Sequence, residues 1–471
     1  MQNPSSSHKL KSSDTAKPKS STTKPKIPQL LSPAGNLHKL KVALAYGADA
    51  VYGSPSQFSL RSRAGQAFVL KDFANGIDYA HKRGKKVFVT INGFPFNSQL
   101  ESLKSHICKM AELKPDAFIV AAPGIVRLCK SLAPQIPIHL STQANVLNVL
   151  DAQVFYDMGV KRIVAARELS LKDALIIKKE IPNLELEIFI HGSMCFAFSG
   201  RCLISSLQNG RMPNRGSCAN DCRFDYQYFV RSKDSGELVG FDEREFYAKN
   251  PDNGVLLRLQ EEEGFGTHIF NSKDLNLASH IKEIIDSDCI SALKIEGRTK
   301  STYYAGITAR TYSMALRDYE CGIFRPQAYQ DELHTLKNRG FTDGFLVRKP
   351  FERLDTQNHF TAISEGSYQV NAEVSECGEL ALCRHTIRAG EAKEIVAPLD
   401  SKLVEQKGSF GEIYKEGEKY YMLFEKILLE NGKELDSIHS GNTNAIALPL
   451  PLPPFSFLRE NICNNICDKN L

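Results

Sequence analysis

The chain has no tryptophan, no long apolar run and little net charge for its size. The missing tryptophan excludes no class of function. No stretch approaches the roughly 18 consecutive apolar residues of a membrane-spanning helix, so no membrane partner is expected. The N-terminus lacks the apolar core of a secretory signal, and a cytoplasmic location is expected. The formal charge is +5 over 471 residues. Part of it sits on Lys9, Lys11, Lys17, Lys19, Lys24 and Lys26, which leaves the remaining chain near neutral. A nucleic-acid partner is permitted, but local patches would have to hold it. No G-x-G-x-x-G follows the first apolar strand, which argues against a dinucleotide-binding sheet. G-x-S-x-G and H-E-x-x-H are missing too, and with them two common hydrolase signatures.

Cysteine, by contrast, is plentiful, with twelve in the chain. In a reducing compartment these are not a disulfide framework. Cys195, Cys202, Cys218 and Cys222 fall in one window, with gaps of six, fifteen and three residues. Several thiolates from one region of chain are what a soft metal needs. The paired C-x-x-C knuckles usual for zinc are missing. A 4Fe–4S cluster also takes four thiolates and tolerates more varied spacing. Gly192, Gly200, Gly210 and Gly216 let the backbone wrap closely there. Zinc and a metal-free cluster of thiols stay as alternatives. Cys108, Cys129, Cys289 and Cys321 lie in helical or apolar stretches and are expected in the core. Cys463 and Cys467 would share a helix face but lack two further ligands.

Composition divides the chain. Residues 1–26 are Ser, Thr, Lys and Pro and read as a disordered basic tail. Residues 27–350 alternate short apolar strands with amphipathic helices. The expected strands are Pro28–Ser32, Ala50–Gly53, Val87–Asn92, Ala117–Ala121, Ile136–Leu140, Arg162–Ala165, Leu186–Ile190 and Ala292–Glu296. Helical patterns fill Asn36–Tyr46, Leu70–Arg83 and Leu171–Ile181, and continue through Tyr303–Tyr319 and Asp331–Asn338. Eight such strands predict an α/β class fold, a (β/α)8 TIM-like barrel. About one hundred residues separate the last two strands. They read as an insertion at the barrel mouth, with a short strand at His268–Phe270. Residues 351–460 carry short strands without helices, from Tyr368–Val374 to Tyr420–Phe424, and predict a small β-barrel. The proline-rich Leu448–Pro454 is expected as an extended strap, and residues 461–471 as a tail.

In a parallel barrel the chemistry collects at the carboxyl ends of the strands. His139, His191, Lys294 and Glu296 fall there as candidates for proton transfer. The histidines are equally compatible with hydrogen-bonded core positions. Arg61, Arg63, Gln143, Arg167, Arg201 and Arg298 are the candidate substrate-binding groups. Arg61 and Arg63 suit an anion or a solvated loop. Arg167 and Glu168 could instead form a structural ion pair at the rim. Lys294 and Glu296 on a barrel strand are costly unless paired or used.

Glu187–Cys195 followed by Ser199–Ser205 resembles the signature of the collagenase-like peptidase family, peptidase U thirty-two. Ser32–Gly35, Ala50–Tyr52, Ser59–Arg61, Ile138–Ser141, Gln143–Asn145, Arg167–Ser170, Phe270–Leu275, Lys294–Ser301 and Gly340–Phe345 carry the resemblance across about residues 28–350. It implies a tRNA-modifying branch that makes 5-hydroxyuridine at the wobble position. A 4Fe–4S cluster and prephenate as oxygen donor, instead of dioxygen, belong to that implication. So does a C-terminal barrel like the second domain of translation elongation factors. Partners would be tRNA, the small-molecule oxygen donor and the iron–sulfur assembly machinery. The cluster ligands carried over are Cys195, Cys202, Cys218 and Cys222. Some relatives place a ligand cysteine where this chain has Asn276, so the fourth ligand is expected from the Cys218/Cys222 pair. The family name also offers a collagenase-like hydrolase, and the C-terminal domain a non-catalytic RNA-binding module. A thiolate held by metal is a poor free nucleophile.

Overall fold

The computed structural model describes residues 25–55, 58–60, 68–195, 197–199, 201–213, 217–223, 229–231, 238–240, 246–249, 256–259, 271–347, 356, 364, 366–441 and 445–462. Its first unit runs β1 (Gln29–Pro33), α1 (Leu37–Ala45), β2 (Ala50–Gly53), α2 (Leu70–His81), β3 (Lys86–Ile91), α3 (Leu100–Glu112), β4 (Ala117–Val120) and α4 (Pro123–Leu132). It continues through β5 (Ile138–Leu140), α5 (Val149–Asp157), β6 (Arg162–Val164), α6 (Leu171–Glu180), β7 (Glu185–Ser193) and α7 (Ile204–Asn209). Two hairpins follow, β8 (Phe229–Arg231) with β9 (Leu238–Gly240) and β10 (Phe246–Lys249) with β11 (Leu256–Leu259). Then come β12 (Asp274–Asn276), α8 (Ile281–Asp286), β13 (Ala292–Ile295), α9 (Thr302–Glu320), α10 (Pro326–His334) and β14 (Phe341–Thr342).

β1 to β7 and β13 pair in parallel and in order, and β13 closes the ring by pairing with both β7 and β1. The expected eight-stranded barrel is present, with every strand within three residues of its expected bounds. The helix starts explain why the alternation was readable. Asn36, Asn148, Ser170 and Ser301 cap α1, α5, α6 and α9 through their side chains, each satisfying a backbone N–H that the first turn leaves free. α10 begins earlier than the expected Asp331–Asn338, because Pro326 stands at its first position, where the missing N–H costs nothing. β7 overruns the barrel and pairs antiparallel with β12, which in turn pairs with β14. His268–Phe270 lies outside the described residues.

The second unit is a ten-stranded antiparallel half-barrel sheet. Tyr368–Val374 pairs with Phe457–Asn461 at its centre, and Ala392–Val396 and Lys419–Phe424 follow on one side. Leu448, Leu450 and Leu452 of the strap are buried in its core. The two units share a buried seam. Tyr46 donates to the carbonyls of Val396 (2.7 Å) and Phe455 (3.0 Å), while Phe457 packs on Tyr46 and Tyr303. Cys129 and Cys289 are core thiols as expected, but Cys108 and Cys321 are exposed. The inward stripe of α3 is Leu103, His106, Ile107 and Met110, and Cys108 falls off it. Among the described residues no helix is long and apolar enough to cross a membrane.

Candidate active site

A cavity of ≈ 140 Å³ lies at the carboxyl ends of the barrel strands. Tyr52, Thr90, Asn92, Ser141, Gln143, Arg167, Phe189, Lys294, Glu296 and Arg298 line it, together with all four clustered cysteines. Backbone close approach shapes its rim. A Cβ on Gly35 would overlap the carbonyl of Arg298. One on Gly192, whose φ is +111°, would sit 2.6 Å from the carbonyl of Glu296. Only glycine meets both demands at position 192.

The floor is charged. Lys294 Nζ lies 2.8 Å from Glu187 Oε1, and Arg162 Nη1 lies 3.1 Å from Glu187 Oε2. Glu187 is 0% exposed and Lys294 4%. Burial alone would raise the Glu187 carboxyl, but the charges of Lys294 and Arg162 outweigh it and hold the group at about 2. Burial pulls Lys294 below the usual lysine range, with Glu187 opposing. Glu187 was not among the candidates from sequence. Its signal is the alternation in Glu187-Ile188-Phe189, which turns Glu187 and Phe189 to one face.

Above the floor, Arg167 Nη2 lies 2.7 Å from Glu296 Oε2, with the guanidinium 4.1 Å from the centre of the Phe189 ring. Arg167 thus pairs with Glu296 over the end of β7 and not with its neighbour Glu168, whose Oε2 is buried without a hydrogen-bond partner among the described residues. Arg298 donates to Ser59 Oγ (2.8 Å), Thr90 Oγ1 (2.9 Å) and the Leu60 carbonyl. Among the described residues four cations line the cavity (Arg167, Arg223, Lys294 and Arg298), against one carboxylate, Glu296. That imbalance in a partly buried space favours anionic occupants.

The thiols arrive from two directions. Cys195 follows β7 directly, and Cys202 precedes α7. Cys218 and Cys222 sit on a turn whose Asn220 takes φ +63°, a conformation asparagine tolerates. Ser205 of α7 ties that turn down by accepting from Ala219 N at 3.1 Å. Arg223 Nη2 donates to the Met194 carbonyl at 3.3 Å, joining the turn to the end of β7. Burial raises Cys202 and Cys222, and the neighbouring thiols push in the same direction. Among the described residues no three His, Cys, Asp or Glu side chains converge closely enough to hold a single metal ion. The four sulfurs line one cavity, and in number and type they match the donors that a four-thiolate group takes.

The remaining candidates fall elsewhere. Neither His139 nor His191 lines the cavity. His139 lies below it, edge-on to Phe88, where burial first and Arg162 second lower it to about 3. His191 packs among Tyr304, Tyr312 and Phe341, with Nδ1 3.3 Å from the Tyr312 hydroxyl. Burial lowers it to about 4. Arg201 is exposed and borders a neighbouring concavity. Arg61 and Arg63 lie outside the described residues, as do Cys463 and Cys467. Asn276 donates to Gln330 Oε1 at 2.6 Å.

Residues 35–356 match the model of Peptidase family U32. A relative from Helicobacter pylori named tRNA hydroxylation protein P is 64% identical over 434 residues, 92% of this chain and 99% of that protein. A 23S rRNA 5-hydroxycytidine synthase of Escherichia coli is 33% identical over 287 residues, 61% of this chain and 39% of that protein. A protein of Porphyromonas gingivalis named Collagenase is 24% identical over 376 residues, 77% of this chain and 84% of that protein.

Proposed function

The chain belongs to peptidase family U32, and from that membership we propose that it is a tRNA-modifying hydroxylase that makes 5-hydroxyuridine at the wobble position. The observation that carries this reading is the 64% identity, over nearly the whole of both chains, to a protein named for tRNA hydroxylation. The related 5-hydroxycytidine synthase supports the same position of attack on a pyrimidine ring. Hydroxylation turns C5–H into C5–OH, a two-electron oxidation. A donor alcohol supplies the oxygen, its C–O bond breaks, and it is reduced by the same two electrons. Prephenate, a dicarboxylate with a hydroxyl, suits a cavity with surplus cations, and its use makes the reaction independent of dioxygen.

In this reading Arg298, held by Ser59 and Thr90, receives a carboxylate. Arg167, aligned by Glu296, receives the second. Lys294 and Glu296 are the lining groups able to move a proton at the reacting ring. Glu187 acts by holding the Lys294 ammonium in place. Cys195, Cys202, Cys218 and Cys222 would hold a 4Fe–4S cluster, which would supply redox chemistry when bound. The base must leave its stack to reach such a pocket.

Nucleosides from tRNA of a deletion strain, separated and weighed by mass spectrometry, test the proposal. It expects 5-hydroxyuridine and its derivatives to disappear and to return with the gene. Unchanged levels in a strain without a redundant pathway would contradict it. The family's hydrolase reading has the relative named Collagenase in its favour. A cysteine or serine hydrolase commonly pairs its nucleophile with a histidine, and no described histidine lines this cavity. Metal-free protein that cleaves gelatin would support the hydrolase.

A further inference from the structure

The inner cavity, at ≈ 140 Å³, is the smaller and more enclosed of two neighbouring concavities. A base that reaches into it leaves its sugar, its phosphates and its neighbours outside. A wider concavity of ≈ 570 Å³ opens immediately beside it. Gln143 lines both and forms the partition.

This second bowl is built on the same face of the barrel. Phe94 follows β3, Ala121–Pro123 join β4 to α4, Phe155 projects from α5, and Arg201 and Leu203 follow β7. Phe94 and Phe155 are half-buried, and Phe155 packs against the barrel core. Arg201 is exposed, and no described carboxylate borders the bowl. Partly accessible aromatic rings beside one guanidinium are the composition that holds single-stranded nucleic acid: the rings stack on bases and the cation meets a phosphate.

We infer that this bowl is a nucleotide subsite, which holds the residue next to the reacting uridine in a single-stranded RNA loop. That neighbour's base stacks on Phe94 and Phe155, and its phosphate pairs with Arg201. Gln143 separates the two bases and offers donors and an acceptor to their edges. The subsite rests on the RNA reading of the inner cavity and gives that reading its second anchor. It also commits the RNA to cross the barrel mouth from β7 toward β3.

The test uses the full chain purified without oxygen and an anticodon stem-loop RNA. 2-Aminopurine replaces the nucleotide on each side of the target uridine in turn. Wild type should bind the RNA and quench one of the two probes. Phe155→Ala and Phe94→Ala should each weaken binding about ten-fold, the range of one lost base–aromatic stack, and restore the fluorescence. Phe155→Tyr should keep both affinity and quenching. Arg201→Ala should lower the slope of log affinity against log salt by about one. Wild type that binds while all variants bind, quench and respond to salt alike overturns the subsite alone. Wild type that binds no RNA overturns the RNA reading and the subsite with it. Arg201 is exposed, so its variant reports even where a phenylalanine variant fails to fold.

Discussion

Glu187 is the residue on which the cavity floor depends. It satisfies two cations in a space that water does not enter. Removing one partner of such a group leaves uncompensated charge, typically worth about 3–5 kcal/mol. Glu187→Ala should therefore destabilise the barrel by that order in urea melts, whereas Lys294→Met, which removes one of its two cations, should cost less. The buried histidines set the acid limit. His139 and His191 are held to about 3 and about 4, against ~6.5 in an unfolded chain. Between those values the unfolded state binds more protons, so stability falls as the pH drops below ~6.5. Each histidine contributes a slope of about 1.4 kcal/mol per pH unit. His139→Asn should flatten the loss between about pH 6.5 and 4, measured as the urea midpoint against pH; an unchanged slope would contradict the buried neutral ring.

At the scale of elements, the barrel was legible because its strands are short apolar runs between capped helices. β1 reads as Gln-Leu-Leu-Ser-Pro, and Asn36 then starts α1. β12 and β14 were not legible, since two or three residues carry no period and exist only through pairing, β12 with β7 and β14 with β12. The same limit governed the site. The cations and thiols at strand ends were visible as residue types. Their partners were not, because Arg167 meets Glu296 from another strand and passes over adjacent Glu168. Two histidines at strand ends proved to face away from the cavity, a direction set by packing against Phe88 and the α9 tyrosines. The cysteine turn is an element with its own prediction. Ser205→Ala removes the acceptor of Ala219 N and one hydrogen bond's worth of stability, about 1 kcal/mol. On the cluster reading, iron per chain should fall from about four while the melting temperature moves little.

Across the whole molecule, a buried arginine joins barrel to sheet. Arg459, 3% exposed at its side chain, reaches Glu332 of α10 (2.9 Å) and Glu394 of the sheet (2.6 Å), and it donates to the Tyr303 hydroxyl at 2.8 Å. Burial would raise Glu332, but Arg459 outweighs it and lowers the carboxyl below its ordinary value. A depressed carboxylate stabilises above its unfolded pKa of ~4.3 and loses that contribution as the pH falls toward the folded value. Arg459→Leu should strand Glu332, leave Glu394 with Lys419 alone, and expose the seam to limited proteolysis at neutral pH, as strong acid does to wild type. Neither partner of this seam could be matched from sequence, with 127 residues between Arg459 and Glu332.

The arrangement as a whole makes one claim above the others: the thiol-lined, cation-rich barrel mouth hydroxylates tRNA. The most direct measurement is mass spectrometry of tRNA nucleosides from a deletion strain that carries either the wild-type gene or Cys202→Ser. Wild type should restore 5-hydroxyuridine and its derivatives, and Cys202→Ser, at equal protein level, should leave them absent. Full restoration by Cys202→Ser would contradict the account.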